Sequence, residues 1–212
     1  MLNLPPSTEV GKIVPKERFY AKEPSKTKDY FTTHIEKISW VNKISPTTLN
    51  ISARSYPELQ VFEVRFKAVD KKTNKTIRLI DSKIPYPVLF LVCYRNELKA
   101  MLSVKQVKGD KIVVIEQFET DWHDFEGFKL EMKGASVDAI YENYLYQITD
   151  KLNFGGSLEE NMNKYKQIKA LKTAIEKINR KIKKEPSVVK RQELARERNA
   201  LEQSGLHVLF KN

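Results

Sequence analysis

Pro87-Val88-Leu89-Phe90-Leu91-Val92-Cys93-Tyr94 is a continuous apolar run bounded by turn formers. A run this short, rich in β-branched and aromatic residues, reads as a strand covered on both faces rather than as a helix. Downstream, a tight turn at Arg95-Asn96 leads to Leu98, Ala100, Leu102 and Val104, which alternate with other residues. A second turn, Lys108-Gly109-Asp110-Lys111, opens Ile112-Val113-Val114-Ile115. Strands joined by turns this short form an antiparallel meander. Upstream, Phe62-Glu63-Val64-Arg65-Phe66 alternates apolar with charged residues, as a half-buried strand does. Between them, Ile77, Ile80 and Ile84 fit a short helix, while Thr76-Ile77-Arg78-Leu79-Ile80 would also pair as a strand; the helical spacing is preferred.

Helices must cover a sheet buried on both sides. One candidate is residues 30–43, where Phe31, Ile35, Ile38 and Val41 recur at helical spacing with Trp40 beside them. The other is residues 137–152, marked by Val137, Tyr141, Tyr144 or Leu145, Ile148 and Leu152. The first 29 residues carry Pro5, Pro6, Pro15 and Pro24, which deny them a long helix, yet Leu2, Leu4, Ile13, Val14, Phe19 and Tyr20 anchor them as an arm on the core. After Gly155-Gly156, residues Tyr165, Ile168, Leu171, Ile175, Ile178 and Ile182 trace a heptad-like seam. Pro186 disfavours helix at Glu185, and a second helical segment with Val188, Val189, Leu194 and Leu201 follows. The expected fold is α+β: a mainly antiparallel sheet of about four strands with flanking helices and a C-terminal basic helical hairpin. The expected divisions are an arm (1–29), a core domain (30–155), a hairpin (162–204) and a docked apolar end (205–212).

Charge sharpens the picture. The chain of 212 residues has 38 Lys plus Arg against 27 Asp plus Glu. Residues 161–200 hold 13 of these cations and 4 of the acids, a net of +9, which leaves 25 against 23 elsewhere. With the seam turned inward, Lys166, Lys169, Lys172, Lys177, Arg180, Lys181, Lys183, Lys184, Lys190 and Arg191 project outward. Such a surface neutralises phosphates, releases counterions and binds in a salt-dependent way. Lysine outnumbers arginine there, so contact with the nucleic-acid backbone is expected rather than base reading. The competing reading is a coiled-coil arm that holds a protein partner or pairs two copies, its lysines merely solvated.

Other chemistry has thinner support. Asp81 ahead of the apolar strand, with Glu97-Leu98-Lys99 after it, follows the order of a restriction-endonuclease site, in which two carboxylates hold a divalent cation and a lysine polarises water. Glu-x-Lys is common in a chain that is 31% charged and Glu97 sits at the turn end rather than mid-strand, so two solvated charges at a surface turn are the preferred reading. Asp121-Trp122-His123-Asp124-Phe125-Glu126 offers metal-competent side chains, but neighbours on an extended segment point to opposite sides. A polar turn with Trp122 packed on the sheet is the simpler reading. Cys93, alone in its strand, is expected to be buried and inert. One cysteine forms no internal disulfide, and a cytoplasmic, reducing setting is expected. The start lacks the pattern of a secretory signal, and no stretch is apolar enough to span a membrane. No phosphate loop is present, so a nucleotide-driven motor or kinase is not expected, and no cofactor is implied.

Several segments together resemble a known family. They are Leu4-Pro5-Pro6 with Lys16 and Phe19-Tyr20, then Ile35-Glu36-Lys37-Ile38-Ser39-Trp40-Val41-Asn42-Lys43-Ile44, and Gln60-Val61-Phe62-Glu63-Val64. Ile80-Asp81, Ile84-Pro85-Tyr86-Pro87-Val88-Leu89-Phe90 and Phe118-Glu119-Thr120-Asp121-Trp122 complete the set. Over nearly the whole chain the sequence resembles the uncharacterised prokaryotic family called domain of unknown function 4391. That resemblance implies company with helicases and DNA methyltransferases in restriction or anti-phage gene clusters, and it brings no catalytic residues. The leading expectation is therefore a non-enzymatic accessory subunit of a DNA-processing or defence assembly. On this reading the sheet domain docks a helicase or methyltransferase and the hairpin touches nucleic acid, with DNA and RNA left open. The alternatives are a metal-dependent nuclease using Asp81, Glu97 and Lys99, and a protein-binding adaptor with a coiled-coil arm.

Overall fold

The computed structural model describes residues 2–108 and 111–210, and their side chains except at 107–112 and 204–210. Two compact units emerge, Met1–Asp150 and Lys151–Asn212.

The first unit is built on one sheet: β1 (Glu9–Ile13), β2 (Ile35–Ile44), β3 (Leu59–Phe66), β4 (Val88–Tyr94), β5 (Glu97–Lys108), β6 (Lys111–Glu119) and β7 (His123–Asp124). The strands lie in the order β1-β2-β3-β4-β5-β6, with β7 on β5. Only β3 and β4 run parallel; each of the other pairs is antiparallel. A parallel neighbour needs a long crossover, and α4 (Thr73–Ser82) supplies it. The unit's other helices are α1 (Glu17–Tyr20), α2 (Ser25–His34), α3 (Pro46–Leu49) and α5 (Val137–Ile148).

The apolar run behaves as its composition requires: Val88 to Cys93 are all buried in the middle of the sheet. On one face Ile38, Phe62, Val64, Phe90, Val92 and Met101 pack with Ile77 and Ile80 of α4 and Phe31 of α2. Strand alternation turns Leu89, Leu91 and Cys93 to the other face, and they too are buried. Helix α5 packs against β5 and β6. Ser136 caps it by accepting from the Ala139 amide, and the Tyr141 hydroxyl donates to the Ser103 carbonyl at 2.9 Å.

Several expectations need correction. Residues 30–43 are not one helix: α2 stops at His34 and β2 begins at Ile35. Register shifts between Ile35 and Lys37 and between Trp40 and Asn42 explain the error. A bulge inserts one residue, so inward positions fall three apart and imitate helical spacing. Ile38 then pairs with Val64, and Trp40 with Phe62, as cross-strand neighbours. Helices α1, α2 and α4 cover that face, α2 through Tyr30 and Phe31, while residues 35–44 belong to the sheet itself. Between residues 58 and 120 the sheet has the four expected strands, β3 to β6, and β1, β2 and the two-residue β7 extend it to seven. The helix at 137–152 ends at Ile148, and a short 3₁₀ turn takes Asp150–Leu152. The spacing of Ile77 and Ile80 is helical, in α4. Lys108 pairs with Lys111 across the second hairpin, whose Gly109 and Asp110 lie outside the described residues.

The second unit holds α6 (Leu158–Lys184) and α7 (Val188–Phe210) packed on each other. Ser157 and Glu160 form a reciprocal capping box at the start of α6. Glu185 leaves the helix at φ −80°, ψ 118°, ahead of Pro186, as the ring of a following proline dictates. The expectation of docking for 205–212 falls on side chains outside the described set.

Candidate nucleic-acid interface

Within the second unit, the seam and the charges sort as the spacing requires. Ile178 is buried, while Ile168, Leu171, Ile175 and Ile182 are half-buried, as are Leu194 and Leu201 of α7. The ten expected cations are all exposed: Lys166, Lys169, Lys172, Lys177, Arg180, Lys181, Lys183, Lys184, Lys190 and Arg191. Arg180 reaches Glu176 at 3.6 Å on an exposed surface, and an exposed pair of that kind contributes little. Lys169 lies over the Tyr165 ring at 5.7 Å. Lys181, Lys183 and Lys184 occupy the last turn of α6, where the helix dipole favours cations. Those three therefore stabilise their own helix whether or not a polyanion is bound. A hollow of about 560 Å³ at the hairpin's bend mixes Lys181, Lys184 and Lys190 with Glu185, Glu193 and Glu197, so its field largely cancels.

The nuclease-like trio is not assembled. Asp81 is fully buried at the end of α4, with Oδ1 2.5 Å from the Lys105 ammonium. Lys105 also donates to the carbonyls of Asp81, Ile84 and Tyr86 at 2.7–3.0 Å, which closes the C-terminal end of α4 around a cation. Burial pushes the Asp81 carboxyl up against the pull of Lys105, and it pushes the Lys105 ammonium down. Lys105 is eight residues along β5 from Glu97, a distance of about 26 Å at the rise of a strand. Asp81 and Glu97 thus sit toward opposite ends of the sheet. Lys99 has other company: it meets Glu119 at 2.5 Å and Asn74 at 2.8 Å, beneath the Trp122 ring.

In the acidic segment at 121–126 Trp122 is partly buried against the core, and the turn begins at Phe125. His123 and Asp124 form β7 on Leu98 and Glu97. Among the described residues no three His, Cys, Asp or Glu side chains are placed to share a metal. Cys93 is buried, and burial pushes its thiol up to about 12, so it is no nucleophile at neutral pH. No described helix is long and apolar enough to cross a membrane.

Sequence reasoning missed the Lys105–Asp81 and Lys99–Glu119 pairs. The signal was partial: alternation puts Lys99 and Lys105 on one side of their strand, and a lysine that the fold buries must find a partner.

No curated protein and no solved structure matches the chain. One family model does, over residues 2–204, and its description is Domain of unknown function (DUF4391).

Proposed function

From the premise that the chain belongs to the DUF4391 family along nearly its whole length, a description that carries no activity, we propose that it is an accessory subunit of a DNA-processing or defence assembly. The hairpin of α6 and α7 contacts the nucleic-acid backbone, and the sheet unit docks a partner protein. One observation carries this reading: every cation the heptad pattern assigned to the outer face of the hairpin is exposed, while the apolar seam is partly or fully withdrawn. Mobile lysines spread over two helices suit phosphates at variable positions and give little base discrimination.

The test is the affinity of the full chain for a short labelled duplex at about 50 and 200 mM salt with Mg²⁺ present. A protein that neutralises several phosphates loses about 10³-fold or more over that range. Affinity that does not change with salt would overturn the proposal. The same tube tests the nuclease reading: with Asp81 and Glu97 held apart, the label is expected to stay intact, and cleavage abolished by Glu97→Ala would restore that reading.

A further inference from the structure

A second cationic feature lies in the sheet unit, away from the hairpin charges that the function was built on. A cleft of about 740 Å³ opens between α2, α4 and β6. Lys72, Lys75 and Arg78 line it from α4, and Lys26 faces them from α2. The three α4 cations stand at i, i+3 and i+6, one stripe along about 9 Å of helix. Among the described lining residues the acid is Glu23, and Lys83 takes it at 2.7 Å.

The unit pairs some of its cations with acids. Elsewhere in it Lys43 meets Glu58, Arg65 meets Glu63, and Lys99 and Lys105 meet Glu119 and Asp81. Among the described residues, Lys26, Lys72 and Lys75 have no ion-pair partner. Lys72 lies over the Tyr30 ring at 5.8 Å, and Arg78 donates to the Val114 carbonyl at 2.6 Å. The nearby Asp70 carboxylate is engaged by the Tyr30 hydroxyl at 2.6 Å and the Lys72 amide at 2.8 Å.

The position of the stripe is also costly. Lys72 is the N-cap of α4 and Lys75 lies in its first turn, which holds no acid. A helix start carries partial positive charge and favours anions, so cations there oppose the dipole. This is the reverse of the last turn of α6. An anion in the cleft would relieve the repulsion among these cations, although the first amides of the helix are already taken, Lys72 by the Asp70 carboxylate and Thr73 by the Asp70 carbonyl.

The remaining wall is apolar: Pro24, Leu79, Val113 and Val114 line it, and Val113 is among the few large apolar side chains exposed among the described residues. A bare inorganic anion gains nothing from that wall, and an uncharged apolar ligand gains nothing from four cations. We propose that the α2–α4–β6 cleft binds an oligophosphate joined to an apolar or planar body, of the nucleoside di- or triphosphate class. The phosphates lie along Lys72, Lys75 and Arg78, with Lys26 closing from the other side, and the body rests on Leu79 and Val113. Because side chains rather than a glycine loop hold the phosphates, this is a binding site and no hydrolysis follows from it.

The experiment is calorimetric titration of the full chain with ATP, adenosine and inorganic tripolyphosphate. It is repeated on Lys72→Gln/Lys75→Gln and, as a charge-matched control, on Lys183→Gln/Lys184→Gln. Both pairs are exposed, and an unchanged melting temperature confirms that each variant folds. ATP is expected to bind in the micromolar range, tripolyphosphate at least tenfold more weakly, and adenosine not measurably. The α4 variant should lose at least tenfold in ATP affinity, and the hairpin variant should lose none. No ATP binding, equal affinity for tripolyphosphate, or equal loss in the two variants would each overturn the proposal. None of these outcomes bears on duplex binding by the hairpin, which is read separately.

Discussion

Lys105 shows most directly how one side chain locks two elements. Its ammonium meets Asp81 and three carbonyls where α4 ends, tying β5 to the crossover that makes β4 parallel to β3. Replacing one member of a buried pair leaves the other uncompensated, at a cost of about 3–5 kcal/mol. Lys105→Met alone is therefore expected to lower the urea midpoint sharply, and adding Asp81→Leu should recover much of the loss. Equal midpoints for the single and double variants would show that the pair is not coupled. Cys93 gives a pH prediction. Its folded thiol is raised to about 12 by burial, whereas the unfolded thiol ionises near about 8.5. Between those values the native state binds the extra proton, so stability falls as pH rises, by up to about 1.4 kcal/mol per unit. Urea unfolding at successive alkaline pH values should show a shallower decline in Cys93→Val than in the parent, and parallel declines would contradict the assignment.

At the scale of elements, β2 and the hairpin teach opposite lessons. Periodicity misread β2 because its two bulges shift the inward phase, a displacement visible only against its partner β3. The hairpin needed no partner strand. Its spacing, Pro186 and the Ser157 cap are local signals, and all of them act as local physics requires. Ile178 is its buried knob, so Ile178→Ala should cost about 2–5 kcal/mol, read as lost helicity on heating by far-UV dichroism. Lys177→Glu, Arg180→Glu and Lys181→Glu together should leave helicity intact while weakening duplex binding and flattening its salt slope. An adaptor that pairs through the seam would respond the other way: polar residues at Leu171 and Ile175 would break its assembly, and the charge reversals would not.

For the whole molecule, charge and architecture divide along the chain. The unit Met1–Asp150 contains the sheet and its helices, and Lys151–Asn212 carries the hairpin. A fragment of residues 1–150 should therefore keep its near-ultraviolet dichroism and a cooperative melt while losing salt-sensitive duplex binding. Retained duplex binding would move the interface onto the sheet unit. The sequence by itself determined the α+β class, the meander around the apolar strand, the helical hairpin and its outward cations, because these rest on short-range periodicity, turn residues and composition. Only the tertiary structure decided which strands neighbour one another, that β3 and β4 run parallel, and which charges meet. Asp81 was near Glu97 in a plausible motif, yet the fold carried it to Lys105; the three α4 cations were ordinary surface residues until α2 and β6 closed a cleft around them. Pairing across a sheet and the walls of a cleft join residues distant in the chain, and no local spacing encodes such distances.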